Sequence, residues 1–245
     1  MLVAGAFLIG VIASILGSLT GGGAALLSVP LLLLIGLPPY TAASTPKLGA
    51  LGIAIGSLLE FSKKNYIRWS LMPVLVVLAA VAGVIGAQAL LLTPEYVVEH
   101  IIIVLLLLSV GVLWSKKDMG IVAFTVSKGR KLFGYAAYFV SELFRAAFGS
   151  GFGMLTNTVL IYFLGLTTLE STATKRLPGL IVTLTALVTF LAYGIIDIPV
   201  GIALFLGSLV GSTIGTRYAI LLGNRWGKYL FTGCALLLAA GLLLV

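Results

Sequence analysis

The sequence predicts an all-α, polytopic membrane protein that contains an internal repeat. Of the 245 residues, 60% are hydrophobic and only 9% are charged, whereas soluble domains carry about 25% charged residues. The mean hydropathy is +1.22. The apolar runs are continuous, as in membrane helices, and do not alternate as barrel strands do. A third observation is that the two halves of the chain align at one constant offset.

Ten apolar segments follow one another along the chain. They lie at 2–19, 23–36, 42–60, 70–92 and 97–114, and at 132–148, 152–165, 172–194, 198–222 and 227–245. The first run lacks a positively charged start and is expected to be a retained span, not a signal peptide. Segments 23–36 and 152–165 have 14 residues each, fewer than the about 20 that cross a bilayer. They are predicted to be half-helices or re-entrant arms, and whether they cross fully is left open.

The internal repeat is indicated by glycine and threonine matches. We expect 1–114 and 132–245 to be two membrane repeats of one integrated transmembrane domain, joined by a cytoplasmic linker at 115–131. A single offset, here called the repeat offset, pairs Gly22 with Gly151, Gly36-Leu37 with Gly165-Leu166, Thr45 with Thr174, and Ile85-Gly86 with Ile214-Gly215. Leucine matches alone would carry little weight in so apolar a chain, but these matches predict an internal duplication.

The basic residues predict how the two repeats are oriented. If each repeat crosses the membrane an odd number of times, one side receives almost all of them; with even crossings they divide nearly equally. The residues on that side would be Lys63, Lys64, Arg68, Lys116, Lys117, Lys128, Arg130, Lys131, Lys175, Arg176, Arg217, Arg225 and Lys228. Lys47 would lie near the other side and Arg145 within a span. The positive-inside rule therefore favours repeats in inverted orientation with both termini outside, an architecture of secondary transporters.

A glycine-rich break interrupts the first long apolar run. Three glycines follow Thr20, namely Gly21, Gly22 and Gly23, and each costs a helix interior about 1 kcal/mol relative to alanine. The second repeat has its own break, which consists of Gly149, Ser150, Gly151, Phe152 and Gly153 and is followed by Asn157. A half-helix that starts at such a break presents free N–H groups to an anion, so both breaks are predicted to bind substrate with help from Thr20, Ser150 and Asn157. The alternative is close helix packing through small residues.

Two threonine–cation motifs form the second paired feature. They are Thr45-Pro46-Lys47 and Thr174-Lys175-Arg176, each near the start of a predicted helix. A cation at a helix start opposes the helix dipole, and an anionic partner would relieve that conflict. We expect the threonines to orient the anion and the basic side chains to balance its charge. The alternative is that the basic side chains extend to the headgroup region.

Glu142 and Arg145 lie three residues apart within a predicted span. This spacing places them on one helical face, where they can neutralise each other. The alternative prediction gives them transport roles: Arg145 lines the anion path, and Glu142 carries a proton as the coupling ion.

Several function classes are disfavoured. The chain has one histidine, His100, and one cysteine, Cys234, so neither a metal site, another cofactor nor an intramembrane enzyme is expected. The net charge of +8 lies in short loops, where it sets orientation and contacts lipid headgroups and does not indicate nucleic-acid binding.

These motifs resemble those of the TauE/SafE sulfite-exporter family of permeases. The first repeat matches the family over Gly17-Ser18-Leu19-Thr20-Gly21-Gly22-Gly23 with Pro30, over Gly36-Leu37-Pro38-Pro39, and over Ala42-Ala43-Ser44-Thr45. The second repeat departs from the pattern at Phe152, Gly153 and Val159. The resemblance implies transport of sulfite or of small organosulfur anions such as sulfonates, commonly across bacterial inner membranes.

The sequence therefore predicts a secondary transporter in the inner (plasma) membrane, which binds a small sulfur-containing anion at the paired breaks and moves it by alternating access. An anion channel on the same scaffold is the alternative. The oligomeric state and the direction of transport stay open.

Overall fold

The computed structural model describes residues 2–22, 24–90, 120–148, 153–194 and 196–243, and every regular element among them is a helix. The predicted segment 97–114 and the linker up to residue 119 lie outside these ranges. The first repeat contains α1 (Leu2–Leu19), α2 (Ala24–Leu34), α3 (Pro39–Ser44), α4 (Pro46–Ser62), a 3-10 turn (Trp69–Leu71) and α5 (Met72–Leu90). The second contains α6 (Lys128–Phe148), α7 (Gly153–Leu164), α8 (Thr168–Thr174), α9 (Arg176–Ala192) and α10 (Ile198–Leu243).

The helix order of the first repeat returns in the second. Moved by the repeat offset, α2 would cover 153–163 and α4 would cover 175–191, and the bounds of the observed α7 and α9 differ from these by at most a single position. The short arms end at glycines with positive φ in both repeats, 96° at Gly36 and 72° at Gly165, a conformation that ends helices at little cost only for glycine. The two predicted short arms are therefore confirmed as short helices.

Three predicted boundaries were wrong. The segments predicted at 42–60 and 172–194 are each two helices, because the chain turns at Thr45 and at Lys175. The helix predicted to begin at 132 begins at Lys128, inside the predicted linker. By contrast, the break predicted between segments 198–222 and 227–245 is borne out, because α10 consists of two helices that meet at a kink at Gly223, where φ is 78°.

The third long helix of each repeat packs against the first two long helices of the other repeat. Helix α10 packs against α1 and α4, and α5 packs against α6 and α9, while α4 and α9 pack against each other. The buried clusters follow the same exchange: Ala6, Leu32 and Leu204 join α1, α2 and α10, whereas Leu75, Tyr138 and Leu160 join α5, α6 and α7. The two repeats are thus interlocked, and both of these buried clusters combine helices of the two repeats.

The helices are suited to a bilayer. Four helical stretches in the described part of the chain are long and apolar enough to cross a membrane: Leu2–Leu19, Trp69–Gln88, Thr168–Ala192 and Ile198–Trp226. Their outer faces carry exposed apolar side chains such as Leu8, Ile12 and Val77, which suit contact with lipid tails. Glycines at 207, 211 and 215 bring α10 against the backbone of α1, the close packing that small residues permit in membranes.

The charge count needs one correction. The sequence places Lys175 and Arg176 with the headgroup residues of one membrane side, but their side chains are 2% and 8% exposed inside the protein. Removing them from the count leaves the positive-inside prediction with fewer residues, and the inverted orientation stays a prediction.

Candidate anion-binding site

Four basic side chains converge on a small cavity between the helices. Lys47, Arg145, Lys175 and Arg176 line it together with Ala50, Ile53, Ala54, Gly179 and Thr183. Its volume is about 40 Å³, room for about three waters at about 10–15 Å³ each. The cavity is therefore close in size to a small oxyanion and carries a surplus of positive charge.

The cavity lies where α4 of one repeat faces α9 of the other. Four α4 residues line it, and the repeat offset carries three of them, Lys47, Ala50 and Ala54, onto the α9 lining residues Arg176, Gly179 and Thr183; the fourth, Ile53, has no counterpart in the lining. In both helices the spacing is three and then four, which places the residues on one face. Both repeats therefore contribute the same helix face to one site, but they contribute different side chains.

Lys47 binds backbone carbonyls at the end of a helix of the opposite repeat. Lys47 Nζ donates to the carbonyl oxygens of Ala146 at 2.5 Å and Arg145 at 3.3 Å, in the last turn of α6. It also lies 5.4 Å from the centre of the Phe190 ring, within the range of a cation–π contact. The negative end of the helix dipole stabilises a cation there. The predicted conflict between Lys47 and its own helix start is thus relieved by α6 without any ligand.

Lys175 connects the two glycine breaks. Its Nζ donates to the carbonyl of Gly153 at 2.5 Å and to the carbonyl of Gly21. Because Gly21 belongs to the first repeat and Gly153 to the second, one ammonium holds the two breaks together. The contact explains why a lysine can be almost completely buried at this position.

The two arginines keep unused hydrogen-bond donors. Among the described residues, Nη2 of Arg145 and both Nε and Nη2 of Arg176 are buried without a hydrogen-bond partner. A buried charged group without partners is costly. The Arg145 guanidinium lies against Gly179, where an added Cβ would be 2.5 Å from Nη2, so glycine leaves it the room to reach the cavity.

The glycine breaks pack against each other beside the cavity. An added Cβ on Gly22 would lie 2.8 Å from the backbone nitrogen of Met154 and 2.9 Å from the carbonyl carbon of Gly153. Gly21 has a φ of 72°, which favours glycine. Asn157 Nδ2 donates to the carbonyl of Gly21 at 3.1 Å and to Thr172 Oγ1 at 3.1 Å. The described parts of the breaks therefore show the close packing that was one of the two alternatives, and substrate binding at the breaks stays a prediction.

The three threonines of the predicted site make internal hydrogen bonds. Thr20 Oγ1 donates to the carbonyl of Gly22 at 2.6 Å and closes its own break. Thr45 Oγ1 accepts from the backbone N–H of Asp197 at 3.2 Å, and Thr174 Oγ1 accepts from that of Arg68 at 3.0 Å. These last two bonds are equivalent under the repeat offset, and each joins one repeat to the other. None of the three threonines lines the cavity.

Glu142 lies behind Arg145 and is completely buried. Its Oε2 is 3.0 Å from Arg145 Nε, which bears out the proximity that their spacing predicts. Thr156 Oγ1 donates to the other carboxylate oxygen at 3.2 Å. The remaining predicted site residues, Gly23, Gly149, Ser150 and Gly151, lie outside the described ranges.

Comparison with known families identifies the class of protein. The profile of the family described as "Sulfite exporter TauE/SafE" matches residues 6–242, which is nearly the whole chain. The chain belongs to the TauE/SafE family. It is therefore a membrane protein of a transporter family, as the motifs of the first repeat indicate.

Curated relatives of this TauE/SafE protein carry only general names. A "Probable membrane transporter protein ORF9" from Sinorhizobium sp is 25% identical over 97% of this chain and 90% of its own length. A "Probable membrane transporter protein" from Haemophilus influenzae is 26% identical over 89% of this chain and 85% of its own. The "Probable membrane transporter protein YfcA" of Escherichia coli K12 is 22% identical over 89% and 81%. No solved structure matches the chain.

Sequence reasoning missed the small residues that line the cavity of this TauE/SafE protein. Ala50, Ala54, Gly179 and Thr183 were not among the predicted site residues. Two signals were present: their helical spacing from Lys47 and Arg176, and the constant offset between the repeats. Extending the repeat alignment along α4 and α9 would have found them.

Proposed function

We propose that this protein is a secondary transporter that binds a small sulfur oxyanion or organosulfonate in the cationic cavity and moves it by alternating access. The observation that carries the proposal is the convergence of Lys47, Arg145, Lys175 and Arg176 on one cavity, with guanidinium N–H groups unpartnered among the described residues. An anion with three or four oxygens supplies the acceptors that these donors lack, and charge-assisted hydrogen bonds are the strong ones.

The position of the cavity supports alternating access. It lies between helices of both repeats and next to the two breaks, which is where transporters built from repeats hold their substrates. We propose further that the protein lies in the cytoplasmic (inner) membrane of its cell with both termini outside, as the loop charges favour. Protease protection of tags at the two termini in oriented vesicles would test this orientation.

The substrate class is tested by binding and by flux. Purified protein is screened by thermal shift against sulfite, thiosulfate, sulfate, taurine, sulfoacetate and carboxylates of matched size, because a ligand of the folded state raises the melting temperature by mass action. We expect sulfite or a sulfonate to stabilise the protein and the matched carboxylate to do so less. The anions that bind are then followed in proteoliposomes, where a carrier saturates with concentration.

Two results would contradict the proposal. If none of the sulfur anions binds, moves or competes, the substrate class is wrong. The scaffold is acting as a channel if two results occur together. Flux then rises linearly with concentration without saturation, and unlabelled substrate on the opposite side does not accelerate the flux of labelled substrate. Arg176→Met should bind the anion more weakly in the same screen, and full affinity in this variant would show that the anion does not bind in the cavity.

A further inference from the structure

A single described acidic residue, Glu142, contacts the basic cluster of the cavity. It lies on α6, which ends at Phe148, nearly two turns beyond it, and its side chain is 0% exposed. The four cavity cations outnumber this carboxylate, so the cavity keeps positive charge for an anion. An anion that binds Arg145 would compete with Glu142 for that guanidinium. The competition is local because Arg145 belongs both to the pair with Glu142 and to the lining of the cavity.

The geometry of the Glu142–Arg145 pair favours exchange of partners. Although Arg145 Nε and Glu142 Oε2 are 3.0 Å apart, neither atom has a hydrogen bond of acceptable geometry among the described residues, and Arg145 Nη2 has no partner either. A well-aligned arginine–carboxylate pair would use two parallel N–H···O bonds. Two guanidinium nitrogens, Nε and Nη2, are thus without directed hydrogen bonds in the described structure and can donate to an anion.

The groups around Glu142 can keep the carboxyl in place in either protonation state. From α7, Thr156 donates to Oε1 at 3.2 Å and lies 3.2 Å from Ser141 Oγ. Tyr138, one turn earlier on α6, is fully buried and its hydroxyl has no hydrogen-bond partner in the described part of the chain. The other charged groups near the pair are Lys175 and Arg176, where α8 meets α9, and Lys47 at the start of α4.

We propose that Glu142 is the proton-carrying residue of this transporter and that anion and proton cross together. The anion enters the cavity and takes the Arg145 guanidinium from Glu142. The released carboxylate then binds a proton from water, so that a carboxylate and a hydrated proton become a carboxylic acid and water. When the anion leaves on the other side, the acid releases the proton there and Arg145 returns to the carboxylate. This coupling rests on the proposed anion transport.

The experiment separates anion exchange from proton-driven accumulation. Wild-type protein, Glu142→Gln and Glu60→Gln are reconstituted in proteoliposomes. Glu60 is the matched control, because it is also a mostly buried acid in ion pairs, with Lys63 at 3.0 Å and Arg217 at 3.1 Å, but neither of these partners lines the cavity. Exchange of radiolabelled sulfite, thiosulfate and methanesulfonate is measured at equal pH on both sides. Uptake of each exchanging anion is then measured with an inward proton gradient.

We expect wild type and Glu60→Gln to exchange the anion and to accumulate it several-fold in response to the gradient. Glu142→Gln should keep exchange within about threefold and lose the response to the gradient, since glutamine cannot take up a proton. Gradient-driven accumulation by Glu142→Gln would overturn the inference, as would a wild type that exchanges the anion but ignores the gradient. Absence of exchange in the wild type would instead overturn the proposed function.

A second measurement covers the case in which Glu142→Gln does not fold. A pH-sensitive dye trapped inside wild-type proteoliposomes reports proton entry when methanesulfonate or thiosulfate is added outside, with the membrane potential clamped. Both anions stay ionised near neutral pH, so a proton that enters with them has been carried by the protein. Anion entry without acidification of the interior would overturn the inference without any variant.

Discussion

Replacing Arg176 by methionine should change two properties of the protein in opposite directions. The Arg176 side chain is buried, its Nε and Nη2 have no hydrogen-bond partner among the described residues, and it shares its cavity with three other cations. Methionine fills a similar volume without charge. The ligand-free protein should therefore become more stable, and anion binding should become weaker.

The expected magnitudes follow from charge and hydrogen bonding. Two like charges about 8 Å apart repel by about 2 kcal/mol at an effective dielectric constant of about 20. Relief of about 2 kcal/mol corresponds to a rise in melting temperature of roughly 4–8 °C for a chain of this size. The anion loses a charge-assisted hydrogen bond worth about 1.5–3 kcal/mol, which weakens binding by about 10- to 150-fold.

Both properties can be read from one thermal-shift titration with sulfite. Arg176→Lys keeps the charge and should retain most of the affinity. Arg217→Met is the matched control, because that guanidinium is 62% exposed and pairs with Glu60 outside the cavity, so its loss should leave sulfite affinity unchanged. The reasoning is refuted if Arg176→Met lowers the melting temperature of the ligand-free protein and binds sulfite as tightly as wild type.

Three further substitutions test other parts of the site. Gly22→Ala should lower the melting temperature markedly, because the new Cβ would lie 2.8 Å from the backbone nitrogen of Met154. The control Gly129→Ala should leave the melting temperature unchanged, because its Cβ would meet nothing within 4 Å. Equal melting temperatures of the two variants would contradict the close packing of Gly22 against Met154. Thr45→Val should cost about 0.5–1.5 kcal/mol of stability, because it removes the acceptor of the partly buried Asp197 N–H, while thermal-shift titration should show unchanged sulfite affinity. A tenfold loss of affinity would instead give Thr45 the orienting role that its motif predicts. Ile53 lines the cationic cavity and also a smaller neighbouring one, so its side chain separates the two. Ile53→Ala should open a path between them, and proteoliposomes with this variant should leak the anion down an imposed anion gradient without coupling. A leak no greater than that of the wild type would show that Ile53 is not the barrier.

Much of the fold could be predicted because its signals are local or periodic. Apolar length predicts the spans, and glycine marks the ends of the arms at Gly36 and Gly165 because few other residues adopt positive φ without strain. The turn at Lys175 was missed, since threonine, lysine and arginine in succession carry no signal that ends a helix. The kink of α10 at Gly223 falls at the predicted break between segments 198–222 and 227–245, where a glycine and polar residues interrupt the apolar run.

The candidate site was predictable in its residue types but not in its geometry. Lys47, Arg145, Lys175 and Arg176 could be named as charge partners of an anion because buried cations in a membrane need a reason to be there. Their convergence depends on α4 packing against α9, a contact between residues far apart in the sequence. Thr45 illustrates the limit: a threonine beside a loop can hold a ligand or a backbone N–H, and only the packing of the other repeat decides between them.

The exchange of long helices between the repeats has a consequence for synthesis. Helices α1 and α4 leave the ribosome more than a hundred residues before α10, the helix that covers them. During that interval their glycine-lined and hydroxyl-bearing faces have no partner from the chain, and the native core cannot close. Assembly must therefore finish after translation of the second repeat, and a gene divided between the repeats should yield stable protein only when both fragments are made in the same cell.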